Sequence, residues 1–264
     1  MNNTTESAEP AEPAEIEYPL VSAILLAGKT SIKDVLAAIE CFKAQSYPYK
    51  ELIILNNARN QFEASELNIK AEKDIFLVDT LTRLNAGQAR NYGIRAANGR
   101  ILAQFDADYW HDPQRLEAQV ATLAENEAHI CVLSETLLYS YVSGRASMNT
   151  NEKAAILGTM VFIRPLNIDY PPVTKHEEFG ILDKMVKAGM KPIAMAKPEL
   201  CCKLLATKGD RVHNPENNGL SKKHFQLVKK IVKDRLALGH VSESIPNDRE
   251  IEDHESLESI VYDN

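Results

Sequence analysis

The chain has 264 residues, 44% of them apolar, and a formal net charge of −7. This is enough for one large domain with a buried core, and no apolar run approaches the roughly 20 residues of a membrane span. The first 17 residues lack the basic-then-apolar pattern of a signal peptide, so we expect a soluble, cytoplasmic protein. The four cysteines show no CxxC spacing and predict reduced core residues.

Charge is distributed unevenly along the chain. Residues 1–17 contain five glutamates and no basic residue, and residues 241–264 contain eight acids and one arginine. Both segments are poor in apolar side chains and predict disordered acidic tails. Residues 18–240 therefore form the expected folded domain, with a net charge of +5 that suits an anionic small molecule or a phosphate-bearing acceptor.

Strands and helices alternate through the first half of this domain. The continuous apolar run at residues 21–27 predicts a buried parallel strand, and apolar residues at helical spacing follow between Val35 and Phe42. The same reasoning predicts strands at 51–55, 75–78 and 101–105 and a helix at 87–97. This alternation predicts an α/β fold with a doubly wound, mostly parallel central sheet flanked by helices.

Gly28, Lys29 and Thr30 follow the first predicted strand and invite comparison with a phosphate-binding loop. That motif requires a glycine five residues before Gly28, where this chain has Ala23 inside the strand. The spacing therefore favours a simple helix start.

Asp106 and Asp108 directly follow the strand predicted at 101–105, at the end of the sheet where ligands bind in open α/β folds. Two carboxylates this close repel one another unless a cation or a satisfied turn offsets the repulsion. One interpretation is a magnesium or manganese site. The other is an Asx-type turn before a helix with Asp112 as N-cap and Pro113 as first residue.

The second half has shorter predicted strands and more loops, which indicates a small second sheet that covers the first and binds a second substrate. The segment 143–153 is polar, and residues 221–238 predict an amphipathic helix with a basic face. The remaining elements are helices at 113–125 and 176–189, the second ended by Gly189, and strands at 130–133, 137–142, 158–163, 193–195 and 200–205.

Taken together, these residues resemble glycosyltransferase family 2, the inverting nucleotide-sugar transferases with the GT-A fold. Over about residues 20–220, the resemblance is carried by VSAILLAGKT, QSYPYKELIILNN, HEEFGILDKMVKAG and above all LNAGQARNYGIRAANGRILAQFDAD. It implies a nucleotide-binding half at 18–112 and an acceptor half at 113–220, followed by the basic helix at 221–240.

The resemblance also implies roles for individual residues. Asp106 and Asp108 would bind Mn²⁺ or Mg²⁺, with His213 as a third ligand or diphosphate contact, and Glu178 would be the catalytic base. The nucleotide-sugar donor would contact Ala27, Asn57, Asn85, Arg90 and Asp106, and Trp110 and Glu177 would lie on the acceptor side.

Three positions depart from the family pattern. Glu178 stands where the family usually has Asp, but both are carboxylates of similar reference pKa. Asn57 also replaces an Asp, and its neutral amide adds a donor that bears on nucleotide identity, although a UDP-sugar is favoured. Tyr109 stands where a third Asp is frequent.

Several functions stay open. The acceptor is a saccharide, a lipid-linked saccharide or, because of the basic helix, a hydroxylated nucleic-acid base. A sugar-nucleotide nucleotidyltransferase shares the fold class, but the glycine-rich loop that such an enzyme has after its first strand is missing from this sequence. A catalytically silent nucleotide-sugar binding module is the third alternative.

Overall fold

The computed structural model of the protein describes residues 18–27, 30–57, 62–150, 156–205 and 220–237. Strands and helices alternate in them as the sequence predicts. In chain order the elements are β1 (Val21–Leu26), α1 (Ile32–Lys43), β2 (Lys50–Asn56), β3 (Ile75–Asp79), α2 (Ala86–Ala96), β4 (Ile101–Gln104), β5 (Tyr109–His111), α3 (Arg115–Glu125), β6 (Ile130–Leu133), β7 (Glu135–Ser140), β8 (Ala146–Thr150), β9 (Ile156–Ile163), α4 (Glu177–Lys187), β10 (Pro192–Met195), a short 3-10 helix (Pro198–Leu200), β11 (Cys201–Leu205) and α5 (Lys222–Ala237).

The large sheet has the strand order β10-β6-β9-β4-β1-β2-β3. Every strand in it is parallel to its neighbours except β9, which runs antiparallel to both β4 and β6. The expected doubly wound, mostly parallel sheet is confirmed. Because β1, β2 and β4 run in the same direction, the residues that follow them meet at one edge of the sheet.

Helices cover both faces of this sheet, which explains why β1 is apolar on both sides. On one face Leu25 packs with Val35 and Phe42 of α1. On the other face Ile24 shares a core with Ile181 of α4. No helix in the described part of the chain has the length and apolar character needed to cross a bilayer.

The small second sheet expected from the shorter strands is present, with the order β5-β11-β7-β8. Its two central strands, β11 and β7, are parallel, and its outer strands are antiparallel to them. Val228, Ile231 and Val232 of α5 pack on Leu137 and other apolar side chains of this sheet. The amphipathic helix predicted near the C-terminus therefore uses its apolar side as part of the domain core.

One local prediction was wrong, and two short strands were not predicted. Helix α3 begins at Arg115 and not at Pro113, because Asp112 Oδ1 accepts the N–H of Gln114 at 2.9 Å and closes a turn before the helix. The segment 143–153 contains β8, whose polar residues pair with β7 across an antiparallel ladder. The three-residue strand β5 exists only because β11 pairs with it, since three residues are too few to show a period.

Candidate active site

The Asp106–Ala107–Asp108 turn is fixed to the protein by its backbone. The carbonyl of Asp106 accepts a hydrogen bond from His111 Nε2 at 3.1 Å, and the carbonyl of Asp108 accepts the N–H of Leu204 at 2.8 Å. Ala107 between them is buried. The backbone is thus satisfied from the core side, and the two carboxylate side chains are left for the opposite side.

Behind this turn lies a buried cation that no pattern in the sequence predicts. Arg115 is fully buried and donates to the carbonyls of Gln104 and Thr159 at 2.9 and 3.1 Å, and Arg115 Nη1 lies 2.7 Å from His111 Nδ1. Burial, and then the charge of Arg115, hold the pKa of His111 well below its ordinary value. The neutral ring therefore accepts from Arg115 and donates from Nε2 to Asp106.

In front of the turn, Arg90 of α2 joins three carboxylates. Its Nη1 and Nη2 donate to Asp106 Oδ1 and Oδ2 at 3.2 and 3.1 Å, a bidentate pair. Its Nη2 also donates to Glu178 Oε1 at 3.1 Å, and its Nε donates to Glu177 Oε1 at 3.2 Å. Burial opposes the charged form, but the charges of Asp106 and Glu178 outweigh it and raise the pKa of Arg90 well above its ordinary value.

The two glutamates open helix α4 but differ in their surroundings. The side chain of Glu177 is 5% exposed and that of Glu178 is 20% exposed. Burial raises the pKa of Glu177, and the neighbouring Arg90 opposes part of that rise. Glu177 is therefore a buried partner of Arg90, whereas Glu178 reaches the surface and can meet a substrate.

Asp108 makes fewer contacts than Asp106. Its nearest basic group is Lys203 of β11, with Nζ at 3.9 Å from Oδ2. Desolvation, and then the charge of Asp106, raise the pKa of Asp108 from 3.8 to about 6. Because 53% of the Asp108 side chain is exposed, water weakens the effect of desolvation, and repulsion by Asp106 is the main reason for the raised pKa.

A cavity of about 480 Å³ opens beside this cluster, at the carboxyl ends of β1 and β2. Gln88 and Ala89, the residues before Arg90 in α2, line it together with Thr174. We call it the donor cavity; its lining is Leu26, Thr30, Leu55, Asn57, Arg83, Leu84, Asn85, Ala86, Gln88, Ala89 and Thr174.

Two residues of this lining organise its walls. The side chain of Asn57 pairs with the backbone of Leu84: Nδ2 donates to the carbonyl at 2.8 Å, and Oδ1 accepts the N–H at 3.0 Å. Asn85 caps α2, with its Oδ1 accepting the N–H of Gln88 at 2.9 Å, and its Nδ2 donates to the carbonyl of Pro172 at 2.9 Å. The amide side chains hold the cavity's two flanking loops in place.

The other residues named from the sequence lie elsewhere. Ala27 is fully buried and donates its N–H to the carbonyl of Leu55 at 3.0 Å, so it supports a residue of the cavity wall without lining the cavity. Trp110 lines a separate cavity of about 410 Å³ between α1 and α5. His213 and the Gly28-Lys29 pair lie outside the described residues.

The chemistry of the carboxylates decides whether a metal fits. In the described ranges, no group of three or more His, Cys, Asp or Glu side chains could hold a metal ion by themselves. Asp106 and Asp108 are hard oxygen donors on one turn, and Mg²⁺ or Mn²⁺ is commonly held by one or two carboxylates with water and phosphate oxygens at the remaining positions. The residues present fit an ion that binds together with a diphosphate.

Sequence reasoning missed several groups that the fold brings to this site. Arg115 and His111 steady the turn at Asp106–Asp108, Lys203 faces Asp108, and Arg83 and Thr174 line the donor cavity. Arg83 directly precedes the segment that begins at Leu84, and Thr174 lies two residues before the segment that begins at His176, so their positions in the sequence could have suggested them. Nothing in the sequence around Arg115 or Lys203 distinguishes them from surface residues.

A model of glycosyl transferase family 2 matches residues 29–175, more than half of the chain. An uncharacterised glycosyltransferase of Methanocaldococcus jannaschii, MJ1057, is 28% identical over 115 residues, which are 42% of this chain and 40% of that protein. The chain thus matches less than half the length of this relative.

Two solved structures share the fold at low identity. Residues 1–349 of TarS from S. aureus, in complex with UDP-GlcNAc, superpose with a TM-score of 0.57 and 12% identity, over 81% of this chain and 66% of that one. The mannosyltransferase PcManGT from Pyrobaculum calidifontis, in complex with GDP-Man and Mn²⁺, gives a TM-score of 0.54 and 14% identity, over 89% of this chain and 68% of that one.

Proposed function

The chain belongs to glycosyl transferase family 2 and has the GT-A fold, and from this premise we propose that it is an inverting, metal-dependent glycosyltransferase. It moves a sugar from a nucleoside diphosphate sugar, preferably a UDP-sugar, to an acceptor hydroxyl. The observation that carries the proposal is the buried Arg90, which joins Asp106 to Glu178 next to the donor cavity.

Glu178 is the general base of this reaction. Its Oε1 is held by Arg90 Nη2 at 3.1 Å, which leaves Oε2 to accept the proton of the acceptor hydroxyl. As the proton leaves, the acceptor oxygen attacks the anomeric carbon from the face opposite the diphosphate, and the bond to the diphosphate breaks with its electron pair. One displacement of this kind inverts the anomeric configuration.

Arg90 acts as a positioning residue and not as a phosphate ligand, because its donors are directed at the carboxylates of Asp106, Glu177 and Glu178. It sets the distance between the base and the metal-binding turn. Asp106 and Asp108 would hold Mn²⁺ or Mg²⁺, and the ion would supply Lewis-acid stabilisation for the negative charge of the departing diphosphate.

Asn57 supports a donor base that has a carbonyl oxygen. Its Oδ1 already accepts from Leu84 N–H and from Thr80 Oγ1 at 3.3 Å, which occupies both lone pairs. Nδ2 has two hydrogens, of which the Leu84 carbonyl takes one. The second hydrogen can be donated to a base carbonyl oxygen, which uracil has and which adenine, with only ring nitrogens as acceptors, lacks.

The test is turnover of a panel of nucleotide sugars by the purified protein with Mn²⁺ and simple glycoside acceptors. We expect release of nucleoside diphosphate, best with a UDP-sugar, and loss of turnover in EDTA and in Asp108→Ala. Release of pyrophosphate would indicate a nucleotidyltransferase instead. A product with the donor's anomeric configuration, detected by NMR, would exclude single displacement.

A further inference from the structure

A pair of exposed rings flanks the proposed base on helix α4. Phe179, next to Glu178, is 51% exposed, and the exposed ring of His176 lies with its centroid 5.9 Å away, tilted by 59°. Val173, a few residues earlier, is also exposed. Large apolar side chains at a surface beside polar groups of a reactive site are typical of ligand contacts. We call this group of two rings, His176 and Phe179, and one aliphatic side chain, Val173, the aromatic rim.

The backbone under the rim is held in place. The carbonyl of Val173 accepts the N–H of Gly87 at 3.0 Å, and the carbonyl of Pro172 accepts Asn85 Nδ2 at 2.9 Å. Thr174, between Val173 and the rings, lines the donor cavity. The aromatic rim is therefore anchored to the same helix N-terminus that borders the donor cavity, and its position relative to a bound donor is fixed.

The backbone conformation of His176 leaves its ring without a capping role. It precedes α4 in the left-handed region, with φ 62° and ψ 21°, and its side chain makes no capping hydrogen bond. Glycine is favoured at such a position, and asparagine, aspartate and histidine are the other residues found there most often. The ring of His176 is therefore available at the surface beside Phe179.

Charge favours a neutral ligand on this rim. The described acids around it are Asp106, Asp108, Glu177 and Glu178, and the bases in contact with them are Arg90 and Lys203, which leaves an excess of negative charge. The exposed Lys175 adds one positive charge beside the rim. Even with a divalent ion bound, the site does not become strongly positive, so a polyanion such as nucleic acid gains little here.

We propose that the aromatic rim is the acceptor subsite and binds the apolar face of a neutral pyranose ring. The C–H face of the sugar covers Phe179, the ring edge contacts His176, and one sugar hydroxyl points to Glu178. The inference rests on the proposed function, since it assigns the acceptor class of that same site. It selects a saccharide acceptor over a nucleic-acid base.

Saturation-transfer NMR tests this directly. The probes are the methyl glycosides of β-glucose, β-galactose, α-mannose and N-acetyl-β-glucosamine, each added to the full chain with UDP and Mn²⁺. In the wild type we expect transfer to ring C–H protons of at least one probe. Phe179→Ala should reduce this signal by about fivefold, as expected for removal of a central contact residue.

Two further variants separate binding from folding. His176→Asn removes the ring but suits the left-handed backbone, so its unfolding temperature should equal or exceed that of the wild type while the signal falls. Phe76→Ala removes another exposed aromatic ring, on the edge strand β3, and should leave the signal unchanged.

The inference is overturned by an absence of transfer in the wild type, by equal signals in wild type and Phe179→Ala, or by displacement of the glycoside by a short single-stranded oligonucleotide. Calorimetric titration of the wild type with UDP and Mn²⁺ is run in parallel. A chain that binds UDP but no glycoside refutes the acceptor subsite alone. A chain that binds no nucleotide refutes the donor part of the proposed function.

Discussion

Replacing each of the two adjacent glutamates of α4 by glutamine separates proton transfer from structural support. Glu178→Gln keeps an oxygen for Arg90 but can no longer accept a proton. We expect turnover to fall by roughly 10²–10⁴-fold, which corresponds to about 3–5 kcal/mol in the activation free energy. Because the side chain reaches solvent, the free energy of unfolding should change by less than about 1 kcal/mol.

Glu177→Gln should show the opposite pattern. The side chain is buried, and its bond to Arg90 Nε at 3.2 Å becomes a neutral hydrogen bond. The difference between a charged and a neutral acceptor predicts a loss of about 1–2 kcal/mol in stability, or roughly 2–8 °C in the unfolding temperature for a domain of this size. Turnover should fall less than tenfold, because Glu177 acts only through Arg90.

The assay measures kcat with saturating donor, and thermal unfolding of each variant, side by side. Glu178→Asp serves as the conservative variant: it retains a carboxylate one methylene shorter, so it should recover a substantial part of the turnover that glutamine loses. Equal large losses of turnover in both glutamine variants would leave the base unassigned. A large loss in Glu177→Gln alone would move the base to the buried position and refute the reasoning from exposure.

Three further outcomes follow from the structure. Gly87→Ala should destabilise the fold by more than about 3 kcal/mol or prevent folding, because an added Cβ would lie 1.8 Å from the backbone oxygen of Pro171; thermal unfolding measures this. Asn57→Asp places a carboxylate oxygen against the carbonyl of Leu84 and should cost about 1–3 kcal/mol of stability, with weaker UDP binding by calorimetry; unchanged values would show that this pair is dispensable. In EDTA, Asp108→Asn should match the wild type in stability below about pH 4 and exceed it by about 1 kcal/mol above about pH 6, a magnitude reduced for the solvent exposure of the side chain. The reason is that the pKa of Asp108 is raised in the folded state, so ionisation of its carboxylate destabilises that state as pH rises. A pH-independent difference in unfolding temperature would refute the repulsion between Asp106 and Asp108.

Much of the fold follows from local pattern. The apolar run of β1 predicts a strand covered on both faces, and the alternation of strands with helices predicts a mostly parallel sheet. Both predictions are possible because each element is recognised from residues that are close together in the chain. The position of Asp106 after β4 also follows from the sequence, since parallel strands direct their carboxyl ends to one edge. Helix α4 also follows from the sequence, because Glu177 and Glu178 suit the positive end of a helix and Gly189 ends it.

Tertiary structure decided which of these polar residues touch. Helical periodicity does not distinguish a buried arginine from a surface one. Only the packing of α4 against α2 shows that Arg90 binds carboxylates that lie 16, 87 and 88 residues further along the chain. The short strand β5 forms because β11, far along the chain, supplies its hydrogen bonds, whereas β8 pairs with β7, the strand that precedes it. Local sequence determined the elements of this protein, and long-range pairing, which no periodicity records, determined how its charged groups assemble into a site.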